Sequence, residues 1–196
     1  MTLSCPEPLS SDHDVESFSC GSPALERWLR TRALSNQQKG FTAVIVVHEA
    51  DRVVGYYGSA PMMIGPASFS QPIRIDQAAG ALLPAAVACL FIGQLATDAA
   101  WTNRGISSAL LAHALRRCLL GARVTGATAV VVSAADDEAA AFWSRRGFIA
   151  AKDDRLLLFR SISDIAASLQ AAGIALPDAL HSSAPDPEPV PVDCFE

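Results

Sequence analysis

Cys89–Leu111 reads CLFIGQLATDAAWTNRGISSALL. Its first part, Cys89–Ala96, is apolar and reads as a buried strand. A polar turn ending in Asn103-Arg104-Gly105 follows. Gly105–Leu120 then carries Leu110, Leu111, Ala114 and Leu115 at helical spacing. A turn that opens a helix in this way aims successive backbone N–H groups outward at the positive end of the helix dipole. A pyrophosphate, which is charged and needs donors at close range, suits such a place. The amides of Asn103, Arg104, Gly105, Ile106 and Ser107 are therefore the candidate anion site.

Working outward, Ser22 and Pro23 have the chemistry of an N-cap and a first helical residue. Leu25, Trp28, Leu29 and Leu34 give the helix they open an apolar stripe. Arg27, Arg30 and Arg32 turn elsewhere, and the helix is expected to end near Lys39-Gly40. Phe41–Glu49 is rich in β-branched residues and reads as a strand, with a turn at Asp51-Arg52 and a hairpin partner over Val53–Ala60. Pro61–Pro84 is punctuated by Pro, Gly and Ser and reads as a surface insertion. Ala127–Ser133 is a continuous apolar run, as in a strand covered on both faces. Asp136-Asp137-Glu138 puts acids on the first turn of a short helix, Asp137–Arg146, that Gly147 closes. Arg155–Ser161 is a last strand, and Ser163–Ala172 can form one more helix. The pattern is an α/β fold: a mixed sheet with helices on both faces.

The 196 residues suffice for one domain, and 51% hydrophobic content rules out a wholly disordered chain. The longest apolar run, Ala78–Gly93, is broken by Pro84 and is too short to cross a membrane. MTLSCPEPLSSDHD has neither the basic start nor the apolar stretch of a secretory signal, so a cytoplasmic protein is expected. Cys5, Cys20, Cys89, Cys118 and Cys194 are never in CxxC spacing, and His13, His48, His113 and His181 are isolated, so no metal site is expected. From Ser163 onward there are six acids and no Lys or Arg, which leaves residues 1–162 at about +1 formally. SAPDPEPVPVD near the end has the composition of a disordered tail.

The polar turn resembles the anion loop of the GNAT superfamily of acetyl-CoA-dependent N-acetyltransferases, Gln/Arg-x-x-Gly-x-Gly/Ala. Gly105 matches, while Thr102 and Ser107 stand where the pattern has a long polar and a very small residue. Downstream, Asp136–Phe148 (DDEAAAFWSRRGF) is similar to the short GNAT helix that ends in an aromatic pair, three residues, then Gly-Phe: Phe142-Trp143 and Gly147-Phe148 keep that spacing. Phe18–Gly40, Gly55-Tyr56-Tyr57, Leu95-Ala96-Thr97-Asp98 and Asp136-Asp137-Glu138-Ala139 resemble the GNAT toxins of bacterial type II toxin–antitoxin modules.

The resemblance implies a GNAT fold, with a mixed, mostly antiparallel central sheet, over residues 1–162. The remainder, 163–196, would be a short helix and an acidic, Pro-rich tail. It implies a toxin that moves acetyl from acetyl-CoA to the α-amine of aminoacyl-tRNA and so blocks translation. Such enzymes are commonly homodimers silenced by a ribbon-helix-helix type antitoxin. By position, main-chain groups of Leu95, Ala96 and Thr97 would pair with the pantetheine arm. Asn103–Ser107 would hold the pyrophosphate, and Asp136 would stand where many members have an Asn touching the cofactor. Trp143 takes the catalytic position where the family usually has a Tyr proton donor. An indole N–H donates a hydrogen bond but is not a usable acid, so packing beneath the cofactor is the alternative role. Ser133, Ser144, Tyr56 and Tyr57 are other possible sources of a proton or an ordered water. Gln94 replaces the Arg usual in the toxin group. Two other readings stay open: a GNAT acting on a small amine or protein N-terminus, and a catalytically degenerate GNAT that binds CoA or a protein.

Overall fold

Seven strands form one sheet in the order β1-β2-β3-β4-β5-β7-β6, in a computed structural model that describes residues 3–70 and 85–174. The chain enters by β1 (Glu7–Pro8), then a helical stretch made of α1 (Pro23–Trp28), a π-helical turn (Leu29–Ala33) and α2 (Leu34–Gln38). The hairpin β2 (Ala43–Glu49) and β3 (Arg52–Ile64) comes next, followed by β4 (Val87–Thr97), α3 (Ile106–Thr125) and β5 (Ala129–Ser133). Last are α4 (Asp137–Ser144), β6 (Ile149–Ala150), β7 (Leu157–Ser161) and α5 (Ile162–Ala171). Among the described residues only β4 and β5 run parallel as neighbouring strands; the other neighbours are antiparallel.

Alternation along the strands builds two cores. Ile45 and Val47 of β2 point to the face covered by α3 and α5, where Leu110, Ala114, Leu119 and Ile165 are buried. Val44 and Val46 point to the opposite face, against Phe18, Leu29 and Ala33. Helices thus cover both faces, as the period-2 and period-3.6 patterns require. The stripe expected on the first helix is the contact surface of the second core: Leu29 is buried, and Leu25, Trp28 and Leu34 pack around it. Trp28 also stacks on Tyr56, with ring centroids 6.0 Å apart.

Several boundaries differ from the sequence reading. The hairpin turn is Ala50-Asp51, both at positive φ (46° and 69°), rather than Asp51-Arg52, because two-residue hairpin turns need that handedness to match strand twist. Pro61–Ile64 continues β3 instead of opening an insertion, since its partners on β4 supply a full ladder from Leu90 to Val87; positions 71–84 lie outside the described residues. The short strands β1 and β6 carried no periodic signal and were not expected. α5 buries Ile165 and Leu169 in the main core, so the folded body runs past residue 162. The acidic tail from 175 onward lies outside the described residues.

The N-terminal strand is held by a side-chain staple. Glu7 Oε1 lies 3.0 Å from both His13 Nε2 and His48 Nε2. A backbone N–H reaches each Nδ1, from Ser10 at 2.9 Å and from Asp51 at 3.2 Å. Each ring therefore carries its proton on Nε2 and donates it to Glu7, which keeps the glutamate carboxyl below its usual range. A metal bound at Nε2 would need the opposite tautomer.

Candidate active site

β4 is paired with β3 along its whole length but with β5 only from Cys89 to Ile92. Gly93 has no β3 partner: the register steps from Gly58↔Gln94 to Ser59↔Ile92 around it. Such a bulge bends a strand and increases its local twist. Beyond Ser133 the chain turns away, and Ala134 N–H bonds to Leu156 O at 2.7 Å. The far end of β4, Gln94–Thr97, is left with one open edge. Asp98 N–H bonds to Val54 O at 2.9 Å, and antiparallel partners alternate. By that alternation Ala96 and Gln94 turn their main chains toward β3, whereas Leu95 and Thr97 turn theirs to the open edge. The edge thus belongs to two of the three residues expected there; the Ala96 side chain is buried in the second core.

The start of α3 stands beside this edge. Its N-cap is Gly105 at φ +80°, and no side chain among the described residues caps the helix. Asn103 is also at positive φ, 61°, so the turn Asn103-Arg104-Gly105 alternates handedness as an anion-binding concavity does. The helix can approach because Gly55 of β3 has no side chain: a Cβ there would lie 2.8 Å from Leu110 Cδ1 and 3.2 Å from Ile106 Cγ2. Ile106 itself is buried in the core, so its contribution to a ligand is its main chain. Arg104 lies over the Trp101 ring, 4.5 Å from its centroid.

Asp98 fixes the loop between strand and helix. It is 2% exposed. Oδ1 accepts from Ala100 N–H at 2.9 Å. Oδ2 accepts from Ser19 N–H and from Arg52, each at 3.1 Å. The sequence offers Asp98 only as part of a motif match; its partners Arg52 and Ser19 lie 46 and 79 positions away, which no local pattern reveals.

Between the open edge, the start of α3 and α4 lies a cleft of about 420 Å³. Leu95, Ala96, Thr97, Ser107, Asp136 and Trp143 from the sequence reading all line it, together with Thr102, Glu138, Ala139, Phe142 and Arg145. Asn103, Arg104, Gly105 and Ile106 form the adjoining turn rather than the wall. Thr97 Oγ1 and Ser107 Oγ are 2.8 Å apart. Asp136 is the N-cap of α4, its Oδ1 accepting from Ala139 N–H at 2.8 Å.

Trp143 is 7% exposed. Phe142 and Phe148 meet it edge-on, each centroid 5.2 Å away. The other suggested proton sources do not line the cleft. Tyr56 OH donates to Leu25 O at 2.8 Å, and Tyr57 OH bonds to His113 Nδ1 at 2.9 Å; burial raises both phenol pKa values. Ser144 donates back to Ala140 O at 2.9 Å, and Ser133 pairs with Leu157 at the end of β5.

Of the arginines, Arg30 is used internally, donating to Phe18 O at 2.6 Å. Arg146 stacks on Phe142 at 3.5 Å and donates to Phe142 O. Arg27, Arg32 and Arg145 are exposed. No helix among the described residues is long and apolar enough to cross a membrane.

A family model described as the acetyltransferase (GNAT) family matches residues 9–148. A relative from Mycobacterium tuberculosis (strain ATCC 25618 / H37Rv), described as a tRNA-acetylating toxin, is 34% identical over 161 residues, covering 82% of this chain and 93% of the relative. Among solved structures, a Tyr-to-Phe mutant of KacT matches with a TM-score of 0.76 at 20% identity, over 86% of this chain and 99% of that one. AtaT complexed with acetyl-methionyl-tRNAfMet matches with a TM-score of 0.76 at 21% identity, over 86% and 99%. At these identities the structural matches establish a shared fold.

Proposed function

This chain belongs to the GNAT acetyltransferase family, and from that premise we propose that it is a toxin-type N-acetyltransferase that carries acetyl from acetyl-CoA to the α-amine of aminoacyl-tRNA. The observation that carries the reading is the juxtaposition of two unsatisfied backbone surfaces, the open edge of β4 and the uncapped start of α3, on one cleft. An extended amide-bearing arm needs a strand edge, and a pyrophosphate needs convergent N–H donors; acetyl-CoA has both in one molecule. When bound, it supplies an activated acyl thioester.

The residues divide the work by position. Main-chain groups of Leu95 and Thr97 pair with the pantetheine arm, while Ala96 anchors this stretch of β4 in the second core. The amides of Asn103, Arg104, Gly105, Ile106 and Ser107 hold the pyrophosphate at the positive end of α3. Asp136 holds α4 in place through its cap. Trp143 closes the cleft by packing, and its indole donates no proton. An α-amine has a reference pKa of about 7.7–8.0, so a useful share of the acceptor is unprotonated near neutral pH without a strong base. The curated relative, named for acetylating tRNA, supports the acceptor. The AtaT structure bound to the C-terminus of the antitoxin AtaR supports a protein partner. A cytoplasmic homodimer with a ribbon-helix-helix type antitoxin completes the proposal.

Transfer of label from radioactive acetyl-CoA to bulk charged tRNA tests it. Label that stays with the amino acid after the ester is hydrolysed is the expected result. Label absent from tRNA but present on a small amine or a protein N-terminus would overturn the acceptor. That second reading draws on the formal charge of only about +1 over residues 1–162, since tRNA binding leans on basic surface.

A further inference from the structure

The two halves of the cleft are separate pieces of chain. Thr97 ends β4 and presents its main chain to the open edge; Ser107 sits in the first turn of α3, among the uncapped amides. The loop between them is anchored by Asp98 and Trp101, both buried, but those contacts do not join Thr97 to Ser107. One side-chain hydrogen bond does: Thr97 Oγ1 to Ser107 Oγ, 2.8 Å, with both residues half-buried. It lies on the cleft wall itself. Position 107 is one where the family pattern quoted above has Gly or Ala, neither of which can make this bond.

We propose that Ser107 is a positioning residue whose hydroxyl, bonded to Thr97, locks the anion-binding turn at a fixed distance from the open strand edge, so that the nucleotide end and the pantetheine end of one acyl-CoA are bound as a unit. The inference rests on the acetyl-CoA reading of the cleft, not on the identity of the acceptor. Joining two fragments in one ligand strengthens binding only if both subsites are held at the spacing the linker demands. A rigid spacing is also what lets binding energy from the remote nucleotide place the reacting end. Losing the lock loosens the spacing and leaves each subsite intact.

Binding of CoA, pantetheine and ADP, each measured by calorimetry on the full chain, separates these effects. In Ser107→Ala, CoA affinity is expected to fall roughly 3- to 10-fold, the worth of one ordinary hydrogen bond, while pantetheine and ADP change by less than about twofold. Thr97→Val removes the same bond from the other side and is expected to give the same pattern. The double variant is expected to be no worse than either single one, since one bond is lost only once. Ser107→Thr keeps a hydroxyl and is expected to restore CoA affinity. An ADP affinity that falls as far as that of CoA would make Ser107 a direct phosphate contact and overturn the lock, as would unchanged CoA binding in both single variants. Wild-type protein that binds CoA but never labels tRNA would sink the proposed acceptor and leave this inference standing. Wild-type protein that binds no CoA would sink both.

Discussion

The helices α3 and α4 both begin at the cleft, and they begin in opposite ways. α4 satisfies its own start: the Asp136 side chain takes the Ala139 N–H, and Asp137 and Glu138 set negative charge against the dipole. α3 does neither. Its cap is a glycine with no side chain to offer, its first turn has no acid, and its leading amides stay without a side-chain partner. Every helix has unsatisfied N–H groups at its start; what differs is whether the protein or a ligand fills them. A self-capped helix contributes stability, and an uncapped one contributes a binding site. The cleft is lined by two acids, Asp136 and Glu138, so the donors open to an anionic molecule are those at the start of α3.

The strongest way to break this difference is to give α3 a cap of its own. Gly105→Asp places a carboxylate at the N-cap, where it competes for the same amides and repels phosphate. Acetyl-CoA affinity is expected to fall at least about 100-fold, the cost of opposing a charge where one was sought; calorimetry reads it directly. Thermal stability is expected to fall by only about 1–2 kcal/mol, the strain of placing a side chain at φ +80°. A large loss of stability with CoA binding intact would mean that the start of α3 is not the anion site.

Gly55→Ala tests how α3 is brought to the edge. A Cβ 2.8 Å from Leu110 Cδ1 overfills the core at an expected cost of about 1–3 kcal/mol. Denaturant unfolding gives that figure, and CoA affinity should weaken with it as the helix start is pushed outward. An unchanged midpoint would show that the close approach is not tight.

Removing the other cap should do the reverse of Gly105→Asp. Asp136→Ala is expected to destabilise by about 1 kcal/mol, seen as a lower unfolding midpoint. Asp136→Asn keeps a capping oxygen and removes a negative charge from the cleft, so CoA affinity should rise about two- to threefold, the size expected for a partly exposed charge. A sharp loss of CoA binding in Asp136→Asn would instead make the carboxylate a ligand contact.

The smallest kinetic effect is expected at Trp143. Trp143→Phe keeps an aromatic wall against Phe142 and Phe148 and removes only the indole N–H. The turnover rate should stay within about threefold, because losing a true general acid typically costs about 10²–10⁴. A drop of that larger size would assign Trp143 a catalytic donor role after all.

How much of this was legible beforehand follows from the range of each interaction. α3 and the turn before it were readable because helix periodicity and a glycine N-cap are local signals, complete within a dozen or so residues. α3 runs five residues past the expected end, to Thr125 rather than Leu120, and Gly121 within it lets Leu90 pack close, 3.3 Å from where its Cβ would be. β1 and β6 were not readable: two-residue strands have no period and exist only because β2 and β7 offer them edges. Tyr56 and Tyr57 looked equally able to serve the chemistry until their hydroxyls were traced to Leu25 and His113. The histidines that seemed isolated, His13 and His48, meet at Glu7.

The sequence by itself determined the longer helices and strands apart from their ends, the α/β class, and the identity of the uncapped turn, because those depend on propensity, periodicity and backbone handedness within short windows. It also carried the family, through motifs that recur in order. The tertiary structure alone decided that β4 parts from β5 after Ile92, that Asp98 is locked by residues far away in the chain, and that Thr97 and Ser107 meet on the cleft wall. These are relations between segments, fixed by how strands splay and how closely a helix can lie on a glycine, and such distances are written in no one segment.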